Sequence, residues 1–546
     1  MSVFIGYPSF MAYQMMKGKK GNNDGFPSIP GIVARYSASG LTNEQMAANP
    51  VWVDKAGNGH DLQMKNFIWE GMSGIGGYVT KKEVYEYDLS KYSYVFIPSE
   101  SKVHDFYVVF ELTGYDESFK DGFNLDVRSV TQGLKKRVTY TKNGIHTFQY
   151  KGEEGLDDLL LVGYNGNGGE RSNFTVKILP LYPGALVFDG VDDYGVCDNF
   201  PILTKEKGYT VVVLRQWISM GTGISGLVSN IKNWFNDGAF VLEYNSNNAT
   251  NKFVNRPVSF GNVNIAMDLP NNFTYQTSKS YKGVPITTGD FKGANSLFVG
   301  KLNNIIGNCS NVAIWELVFL DHDATEEELT KIKDYFVKTY PWLFPDQAWT
   351  VTGKTNEDED RATIANIMGN GNDLVLSNFG FIEGSGYNEE GEYAGYLVTD
   401  GVDDKIVSSI FKLGKDFTVV GEWEFLQDIS NNSGLRKMSS FIIRNHVSGL
   451  SLFINRTSQA TTVFNVKSLK AICSNGLLVK NDWTEQIDTA SQFVTSSNSK
   501  LSIACREDGV IEYDKFAFKN LAIYPMVLSK DDCIKAYNYL QTLKAK

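Results

Sequence analysis

The residues of this chain best suited to chemistry are those with carboxylate side chains. One pair of them lies in the string EWEF. Glu422 and Glu424 alternate along a predicted strand, so their side chains fall on one face, about 7 Å apart. A retaining glycosidase needs two carboxyl groups about 5 to 5.5 Å apart, one on each side of the scissile bond. The matching residues of an internal repeat are Leu214 and Gln216. Hydrolysis of a polysaccharide is therefore the alternative hypothesis and not the preferred one.

A second carboxylate pattern is the string DGVDD, which occurs twice. Its acidic residues are Asp189, Asp192 and Asp193 in the first copy and Asp400, Asp403 and Asp404 in the second. Clustered carboxylates are the ligands that Ca²⁺ prefers, but the residue eleven positions after Asp189 is Phe200, where a calcium loop of the EF-hand type carries Glu. Asp side chains also cap turns by accepting hydrogen bonds from nearby backbone N–H groups. We expect turn caps and no metal.

Other catalytic and cofactor motifs are missing. The string GNGHD at Gly57 has the Gly and Asn residues of a tight turn, without the third Gly of a dinucleotide loop or the Lys of a phosphate loop. The five histidines form no H-E-x-x-H or H-x-H pair, and no G-x-S-x-G elbow is present. The sequence predicts no cofactor and no catalytic residue.

Two tryptophans are candidate ligand-binding residues. Aromatic residues make up 13% of the chain, and most alternate within strands as core residues do. Trp234 in KNWFNDG and Trp483 in KNDWTE lie instead among polar turn residues. They could stack on a sugar ring, or they could contact a neighbouring chain or domain, and the sequence leaves both interpretations open.

An internal repeat indicates the elements that must position these residues. The string AGNGHDLQMKNF at Ala56 returns as MGNGNDLVLSNF at Met368, and its first Gly is displaced by 312 residues (369 − 57). The DGVDD strings are displaced by only 211 residues (400 − 189). One unit of about 200 residues therefore occurs twice, and its first copy contains an insertion.

Each unit is predicted to be nearly all strand, with short Val, Ile, Phe and Tyr runs between Asn, Gly, Asp and Ser clusters. One helix closes each unit, with capping residues Thr325 and Glu328 in the first and Ser529 and Asp532 in the second. The insertion has strand candidates only, so it is a separate, smaller β-sandwich whose two ends must lie close together.

The predicted organisation has five segments. They are an N-terminal arm (1–28), the opening segment of the first jelly roll (29–79), the inserted β-sandwich (80–181), the remainder of the first jelly roll with its closing helix (182–345), and the second jelly roll with its closing helix (346–546). The last boundary rests on the two prolines of KTYPWLFPDQAW, near Pro345. We expect residues 346–546 to fold alone.

Composition excludes several functions. The chain has 52 Lys+Arg against 62 Asp+Glu and no long basic run, so it has little with which to hold a nucleic acid. Its five cysteines are too few and too scattered for a disulfide framework and are expected to be buried. No apolar run reaches the roughly 20 residues that cross a bilayer, and the N-terminal charges do not match a secretory signal.

The order WVDKAGNGHDL, LVFDGVDDYGV, NVAIWEL and TEEEL resembles the laminin-G-like branch of the concanavalin A-like jelly rolls. This resemblance implies an all-β fold of two jelly-roll sandwiches, the first interrupted by the insert. The catalytic E-x-D-x-E string of glycosidases with that fold is absent. The opening GYPSF and the segment KGKKGNNDGFPSIPGIVARYS, taken with the repeat, also resemble virion surface proteins of crAss-like phages of Bacteroidales.

The resemblance implies a non-enzymatic virion surface protein, of the head-fibre or tail-fibre type, made in the host cytoplasm. Its expected partners are other virion proteins, copies of itself and host-surface polysaccharide. The apolar segment VFIGYPSFMAYQMM precedes the polar stretch KGKKGNNDG. It should be covered either by its own sandwich or, as an anchoring arm, by another protein.

Overall fold

In the computed structural model of the protein, the described residues form two compact units. The first unit contains the chain up to Gly77 together with Tyr182–Thr339, and the second contains Tyr78–Leu181 together with Tyr340–Lys546. The described residues are 24–78, 80, 84–87, 94–97, 106–118, 122–150, 159–165, 174–219, 224–230, 241–245, 252–255, 263–266, 273–281, 284–285, 294–302, 309–389, 393–427, 433–437, 440–446, 449–454, 461–464, 466–487, 497–505 and 513–545.

The chain starts the first jelly roll and then enters the insert. The first segment contains β1 (Ile32–Ser37), α1 (Asn43–Ala48), β2 (Val51–Trp52), β3 (Leu62–Lys65) and β4 (Gly74–Ile75). The insert contains β5 (Val84–Tyr87), β6 (Tyr94–Ile97), β7 (Phe106–Thr113), β8 (Phe123–Ser129), β9 (Gly133–Tyr140), β10 (Gly144–Tyr150), β11 (Leu159–Asn165) and β12 (Phe174–Ile178).

The first jelly roll then resumes and ends in a helix. Its second segment contains β13 (Leu186–Asp189), β14 (Tyr194–Cys197), β15 (Thr210–Trp217), β16 (Ile224–Ser229), β17 (Val241–Asn245), β18 (Lys252–Asn255), β19 (Val263–Ala266), β20 (Phe273–Thr277), β21 (Ser280–Tyr281), β22 (Val284–Pro285), β23 (Leu297–Val299), β24 (Asn311–Leu320) and α2 (Glu326–Thr339).

The second jelly roll follows a short 3-10 helix, Pro341–Leu343. It contains β25 (Gln347–Thr350), β26 (Thr363–Ile364), β27 (Leu374–Ser377), β28 (Gly386–Asn388), β29 (Tyr396–Val398), β30 (Lys405–Leu413), β31 (Thr418–Phe425), β32 (Ser433–Lys437), β33 (Phe441–His446), β34 (Gly449–Ile454), β35 (Thr461–Phe464), β36 (Leu469–Cys473), β37 (Leu477–Lys480), β38 (Glu485–Ile487), β39 (Ser497–Ile503), β40 (Phe516–Tyr524) and α3 (Lys530–Gln541).

The first jelly roll is a sandwich of two eight-stranded antiparallel sheets. One has the order β22-β21-β20-β15-β24-β13-β4, with β1 paired to β24, and the other has the order β19-β18-β17-β16-β23-β14-β3-β2. The side chains between them form a core that includes Trp52, Val213 and Phe319, each at most 1% exposed. Closing helix α2 packs on the first of these sheets through Phe336, whose ring lies 6.0 Å from that of Phe273.

The insert leaves and re-enters the first jelly roll at one place. Strand β4 pairs with β13, and beyond this pair the Gly76 N–H donates to the Ala185 carbonyl while the Tyr182 N–H donates to the Gly76 carbonyl, both at 2.8 Å. The two ends of the insert are thus tied together, which confirms that prediction. A domain can be inserted at such a point because the host chain resumes where it was interrupted.

The insert is itself a sandwich of two four-stranded antiparallel sheets. Their orders are β10-β7-β12-β5 and β6-β11-β8-β9. Strand β7 shows the alternation that builds this core, because Val108, Phe110 and Leu112 are all completely buried in it. The residues that alternate with them, Tyr107, Val109 and Glu111, point to the opposite face of the sheet.

The second jelly roll repeats the plan of the first. The sheet of order β28-β29-β40-β31-β36-β37-β38, with β25 paired to β40, carries α3 on its outer side, and we call it the helix-side sheet. The other sheet has the order β26-β27-β30-β39-β32-β33-β34-β35. The antiparallel sandwiches of both units confirm the all-β jelly-roll class that the sequence predicts.

Local predictions for the closing helices are also confirmed. The Glu328 N–H donates to the Thr325 hydroxyl oxygen at 3.3 Å and the Thr325 N–H donates to the Glu328 carboxylate at 2.8 Å, which completes a capping box. In α3 the Asp532 N–H donates to the Ser529 hydroxyl oxygen at 3.1 Å.

All five cysteines lie among the described residues, where they are buried and form no disulfide. Across the same described ranges, no helix combines the length and the apolar character that a membrane span requires.

The second unit begins earlier than the boundary near Pro345 that the sequence indicates. The Tyr524 hydroxyl donates to the Trp342 carbonyl at 2.9 Å, and the Lys535 ammonium lies 4.3 Å from the centre of the Trp342 ring. Residues 340–345 therefore pack on the second jelly roll. A fragment that starts at residue 346 would lose these contacts.

Candidate functional site

The carboxylate pair of EWEF lies on β31, in the middle of the helix-side sheet. The core cluster takes Val419, Trp423 and Phe425 from this strand, so Glu422 and Glu424 are left on the outer face. The two carboxylates have different surroundings. Glu422 is 8% exposed, whereas Glu424 lines an open cleft.

Glu422 is held by three uncharged hydrogen-bond donors. The Tyr396 hydroxyl donates to its Oε1 at 2.5 Å, and the Gln149 amide nitrogen donates to the same atom at 3.1 Å. The Gln541 amide nitrogen, at the end of α3, donates to Oε2 at 2.7 Å. Both carboxylate oxygens are therefore occupied by side chains of the second unit.

Two lysines supply the positive charge beside Glu422. The Lys519 ammonium lies 3.6 Å from Oε2, and the Lys470 ammonium donates to the Tyr537 hydroxyl at 2.6 Å. Burial alone would raise the pKa of Glu422, but the charges of Lys519 and Lys470 and the Tyr396 hydroxyl lower it to about 2. We call Glu422, its two lysines and its hydrogen-bond donors the Glu422 cluster.

This geometry does not suit the glycosidase hypothesis for Glu422 and Glu424. A catalytic general acid must keep its proton near neutral pH, so its pKa is raised, and a nucleophile must reach the substrate. The pKa of Glu422 is lowered instead, and its oxygens are bonded to protein side chains. Glu422 is placed to hold the structure together and not to attack a sugar.

A polar cleft opens on the same outer face, next to the Glu422 cluster, and has a volume of about 560 Å³. It lies where the C-terminal end of β31, the N-terminal approach to β40 and the β28–β29 hairpin meet. Its lining residues are Glu383, Gly384, Asn388, Tyr393, Val398, Glu424, Leu426, Lys467 and Lys515.

Backbone hydrogen bonds hold together the segments that line this cleft. The Leu426 N–H donates to the Lys515 carbonyl at 2.9 Å, and the Phe425 N–H donates to the Lys467 carbonyl at 3.1 Å. The cleft has carboxylates, an amide and ammonium groups around one phenol ring, so it can both donate and accept hydrogen bonds. Its volume lies within the range of about 300 to 1,000 Å³ that is typical of small-molecule sites.

The two DGVDD strings form equivalent turns. Asp189 Oδ1 accepts hydrogen bonds from the N–H groups of Val191 (2.8 Å) and Asp192 (3.3 Å), and Asp193 Oδ2 accepts one from the Asp189 N–H (3.1 Å). In the second copy, Asp400 and Asp404 make the same bonds with the same turn. These are the turn caps that the sequence predicts.

In each string the last carboxylate is buried. Burial and the nearby charge of Asp189 raise the pKa of Asp193 to about 7, and burial raises the pKa of Asp404 to about 6. In each copy one ligand atom from each of the three Asp residues lies within 4.8 Å of the others. A cluster of this kind is common without an ion, and the backbone bonds of the turn already account for its shape.

The two candidate tryptophans have different outcomes. Trp234 lies outside the described residues. Trp483 is 2% exposed, and its ring packs edge-on against Tyr537 of α3, with centroids 5.2 Å apart. It has no open face on which a sugar could stack, because the closing helix covers the turn that carries it. This burial corrects the expectation for Trp483.

Apart from Glu424, the cleft residues were not identified from the sequence, although a signal existed for one of them. Tyr393 lies in the polar string NEEGEYAGY, and this setting is the same one that selected the two tryptophans. Asn388, Lys467 and Lys515 carry no local signal, since each is an ordinary turn or strand-end residue. They meet only because β28, β31 and β40 belong to one sheet.

Comparisons with known proteins give remote structural likeness only. No protein-family model matches the chain, and no curated protein matches its sequence. The binding domain of botulinum neurotoxin serotype D is similar at a TM-score of 0.25 and 11% identity, over 64% of this chain and 89% of that domain. The sialidase of Trypanosoma rangeli in complex with sialic acid is similar at a TM-score of 0.25 and 10% identity, over 81% of this chain and 82% of that protein. Scores this low do not carry a function to this chain.

Proposed function

We propose that the chain is a non-enzymatic binding protein whose second jelly roll holds a carbohydrate in the cleft beside Glu424. The observation that carries this proposal is the lining of the cleft, which combines the Tyr393 ring, the Asn388 amide and charged groups of both signs. A sugar presents hydroxyl groups that donate and accept hydrogen bonds, together with C–H faces that pack on aromatic rings. The cleft offers a partner for each of these groups.

Non-enzymatic binding is favoured over hydrolysis because several carboxylates of the chain are already bonded to protein groups. Glu422 is occupied by Tyr396, Gln541 and Lys519, and the DGVDD carboxylates cap turns. Glu424 is the carboxylate of the EWEF pair that faces a cleft. Glu383 lines the same cleft, so the hydrolase alternative is tested there directly, by the assay given below.

The biological setting that we propose is the surface of a virion, where the chain would bind other virion proteins, copies of itself and host-surface polysaccharide. The support is the resemblance of the opening segment and of the repeat to virion surface proteins of crAss-like phages. Immunogold labelling of purified particles tests this setting. Gold on intact particles is expected, and label found only on free protein would contradict it.

Carbohydrate binding is tested with the full chain on an array of bacterial surface polysaccharides, followed by calorimetric titration of any polysaccharide that binds. Glu424→Gln and Tyr393→Ala should each lower the affinity roughly tenfold or more, the effect of losing one charged hydrogen bond or one packed ring. The control is Glu327→Gln on the exposed face of α2, which should bind as the unmodified chain does. Equal affinity of all three variants would overturn the assignment of the cleft.

The hydrolase alternative is tested on the same polysaccharides by measuring reducing ends over time. We expect no sustained release. Turnover that persists in Glu424→Gln would point to a catalytic site elsewhere in the chain, whereas turnover that this variant abolishes would make the cleft an active site. Either result would contradict a binding-only function.

A further inference from the structure

We propose that the outer face of the helix-side sheet is a docking surface for the inserted β-sandwich of the same chain. The insert interrupts the first jelly roll, yet it forms one compact unit with the second. In this proposal, residues 78–181 and 340–546 unfold together as one cooperative unit. Four observations in the second unit support it.

The first observation is the position of Gln149, on strand β10 of the insert. Its amide oxygen accepts a hydrogen bond from the Lys519 ammonium at 2.9 Å, and its amide nitrogen donates one to Glu422 at 3.1 Å. One neutral side chain thus bridges both members of a largely buried ion pair. Glutamine suits this position because its amide carries an acceptor and a donor side by side.

The second observation is that Val109, on the outer face of the insert, is buried although that face belongs to no core of the insert's own. Tyr107 pairs directly with Gln149 across β7 and β10, and Val109 pairs with Thr147 two residues further along. Val109 is 1% exposed and does not belong to the insert's core cluster. In a two-sheet sandwich the outward side chains normally meet solvent, so their burial indicates a surface that is covered.

The third observation is the electrostatic match at Tyr107. The Lys519 ammonium lies 5.8 Å from the centre of its ring, within the range of a cation–π contact. Burial, and after it the negative charge of Glu422, raises the pKa of the Tyr107 phenol. The insert therefore presents a neutral ring and a neutral amide to the charges of the second jelly roll, and both groups reach the same lysine.

The fourth observation extends the contact to a pair of turns. A side chain added at Gly144, where β10 begins, would place its Cβ 4.0 Å from the carbonyl oxygen of Asp482, in the turn between β37 and β38. His146 follows on the same strand, and the Asp482 charge acts on it: burial lowers the pKa of His146, while Asp482 opposes this effect. The docking surface thus reaches from β31 and β40 to the β37–β38 turn.

The internal repeat indicates why this surface belongs to the second jelly roll. In the first jelly roll the residues equivalent to Glu422 and Lys519 are Leu214 and Trp315, neither of which carries a charge. A buried carboxylate and ammonium with no hydrogen-bonding bridge would be costly, so the pair in the second copy requires a partner such as Gln149. The charged pair of Glu422 and Lys519 and the Gln149 amide of the insert therefore complement each other within one chain.

The test uses the full chain and the variants Gln149→Glu and Gln149→Leu. The first places a carboxylate beside Glu422, and the second removes both hydrogen bonds. Gln132→Glu is the matched control, because Gln132 is exposed on the same insert and receives the same added charge. Hydrogen exchange is read at the amides of β31 and β40 in the second jelly roll and of β8 and β11 in the insert.

We expect both Gln149 variants to lower the exchange protection of β31 and β40 by roughly 10- to 100-fold, the effect of losing hydrogen bonds to charged groups. Protection of β8 and β11 should persist, which shows that the insert is still folded. Calorimetry should then resolve two transitions where the unmodified chain has one for this unit. Unchanged protection, or an effect equal to that of Gln132→Glu, would overturn the proposal.

A second measurement distinguishes docking within one chain from docking between copies. The melting temperature of this unit should not depend on protein concentration if Gln149 reaches Glu422 of its own chain. A transition that shifts upward with concentration in the unmodified chain but not in Gln149→Leu would assign the contact to the insert of a second copy, because self-association at another surface would shift both proteins. That result would overturn docking within the chain, even if the Gln149 variants behaved as expected.

Discussion

Trp315 and Lys519 occupy equivalent positions of the two jelly rolls, on β24 and β40, and they make different contacts. The Trp315 indole N–H donates to the Pro183 carbonyl at 2.9 Å, at the place where the chain returns from the insert. The Lys519 ammonium donates to Gln149, inside the insert itself. In the first copy this position of the repeat contacts the chain segment that follows the insert. In the second copy it contacts the outer face of the insert.

Replacing Glu422 with Gln is expected to destabilise the second unit by about 3 to 5 kcal/mol, because it leaves the charges of Lys519 and Lys470 buried without their carboxylate. Urea denaturation of the full chain measures this loss. The control is Glu327→Gln, which removes an exposed pair with Lys331 (2.7 Å) and should cost only about 0.3 to 0.5 kcal/mol. Equal losses for the two variants would contradict a structural role for Glu422.

The same carboxylate has an expected pH dependence. The pKa of Glu422 is lowered to about 2 in the folded chain, below its ordinary value of 4.5. Its contribution to stability is therefore complete above about pH 4.5 and is lost as the pH falls towards 2. The difference in stability between the unmodified chain and Glu422→Gln should shrink over this range.

Asp193 should show the opposite pH dependence. Its pKa is raised from 3.8 to about 7, so the folded chain favours the protonated form. That contribution, on the order of 4 kcal/mol, is complete below about pH 4 and is lost as the pH rises through 7. Relative to Asp193→Asn, the unmodified chain should lose stability between pH 4 and pH 8. Asp192→Asn, an exposed substitution in the same turn, serves as the control and should change the slope only slightly, because the Asp192 charge is the smallest contribution to the raised pKa of Asp193.

Calcium is expected to have little effect on melting, although each DGVDD turn gathers three carboxylates. A bound ion at 100 times its dissociation constant would stabilise the fold by about 2.7 kcal/mol, which shifts a melting curve by several degrees. We expect scans with chelator and with millimolar calcium to coincide. A shift that Asp189→Asn abolishes would show instead that the turn holds an ion.

The sequence predicted the structural features that depend on residues close to one another along the chain. The capping box of Thr325 and Glu328, the turns of the DGVDD strings and the closing helices all rest on contacts within a few residues. Strand alternation also placed Glu422 and Glu424 on one face. Alternation does not reveal that Glu422 is buried, because its partner Gln149 lies 273 residues away, in the inserted β-sandwich.

The closing helix α3 shows the same limit. Cys533 and Leu540 lie on one apolar stripe at helical spacing, and both are buried. Tyr537 lies on a second face and is buried as well, against Trp483 and Lys470. Helical periodicity identifies one apolar stripe, and a phenol outside that stripe gives no sign that it covers a tryptophan from a distant turn.

Trp483→Ala and Tyr393→Ala should separate stability from binding. Trp483 is 2% exposed, so its removal should cost about 3 to 5 kcal/mol and leave polysaccharide affinity unchanged at temperatures where the chain is folded. Tyr393 lines the cleft, and its removal should weaken binding with a smaller loss of stability. Denaturant melts and calorimetric titrations on the two variants give this comparison. The reverse pattern would make Trp483 a ligand-binding candidate again.

The N-terminal arm gives the last prediction. Residues 1–23 lie outside the described residues, but the chain just after them is tied to the first jelly roll. Asp24 forms an ion pair with Arg35 at 2.8 Å, and the Phe26 ring packs edge-on against Tyr335 of α2 at 4.9 Å. The Arg35 guanidinium also lies 4.0 Å from the centre of the Phe26 ring. Residues 24–26 thus pack on the first jelly roll, although they lie within the predicted arm of residues 1–28.

Deleting Met1–Lys20 should therefore leave the melting temperature of the first unit unchanged if the segment is an anchoring arm, while oligomerisation or incorporation into particles is lost. Phe26→Ala is the comparison: it removes a packed aromatic ring from Arg35 and Tyr335 and should destabilise the unit by about 1 to 3 kcal/mol. Thermal melts and sedimentation of both variants decide the matter. A deletion that destabilises the monomer as much as Phe26→Ala would show that residues 1–20 belong to the first sandwich, because only a segment packed on the fold can weaken it when removed.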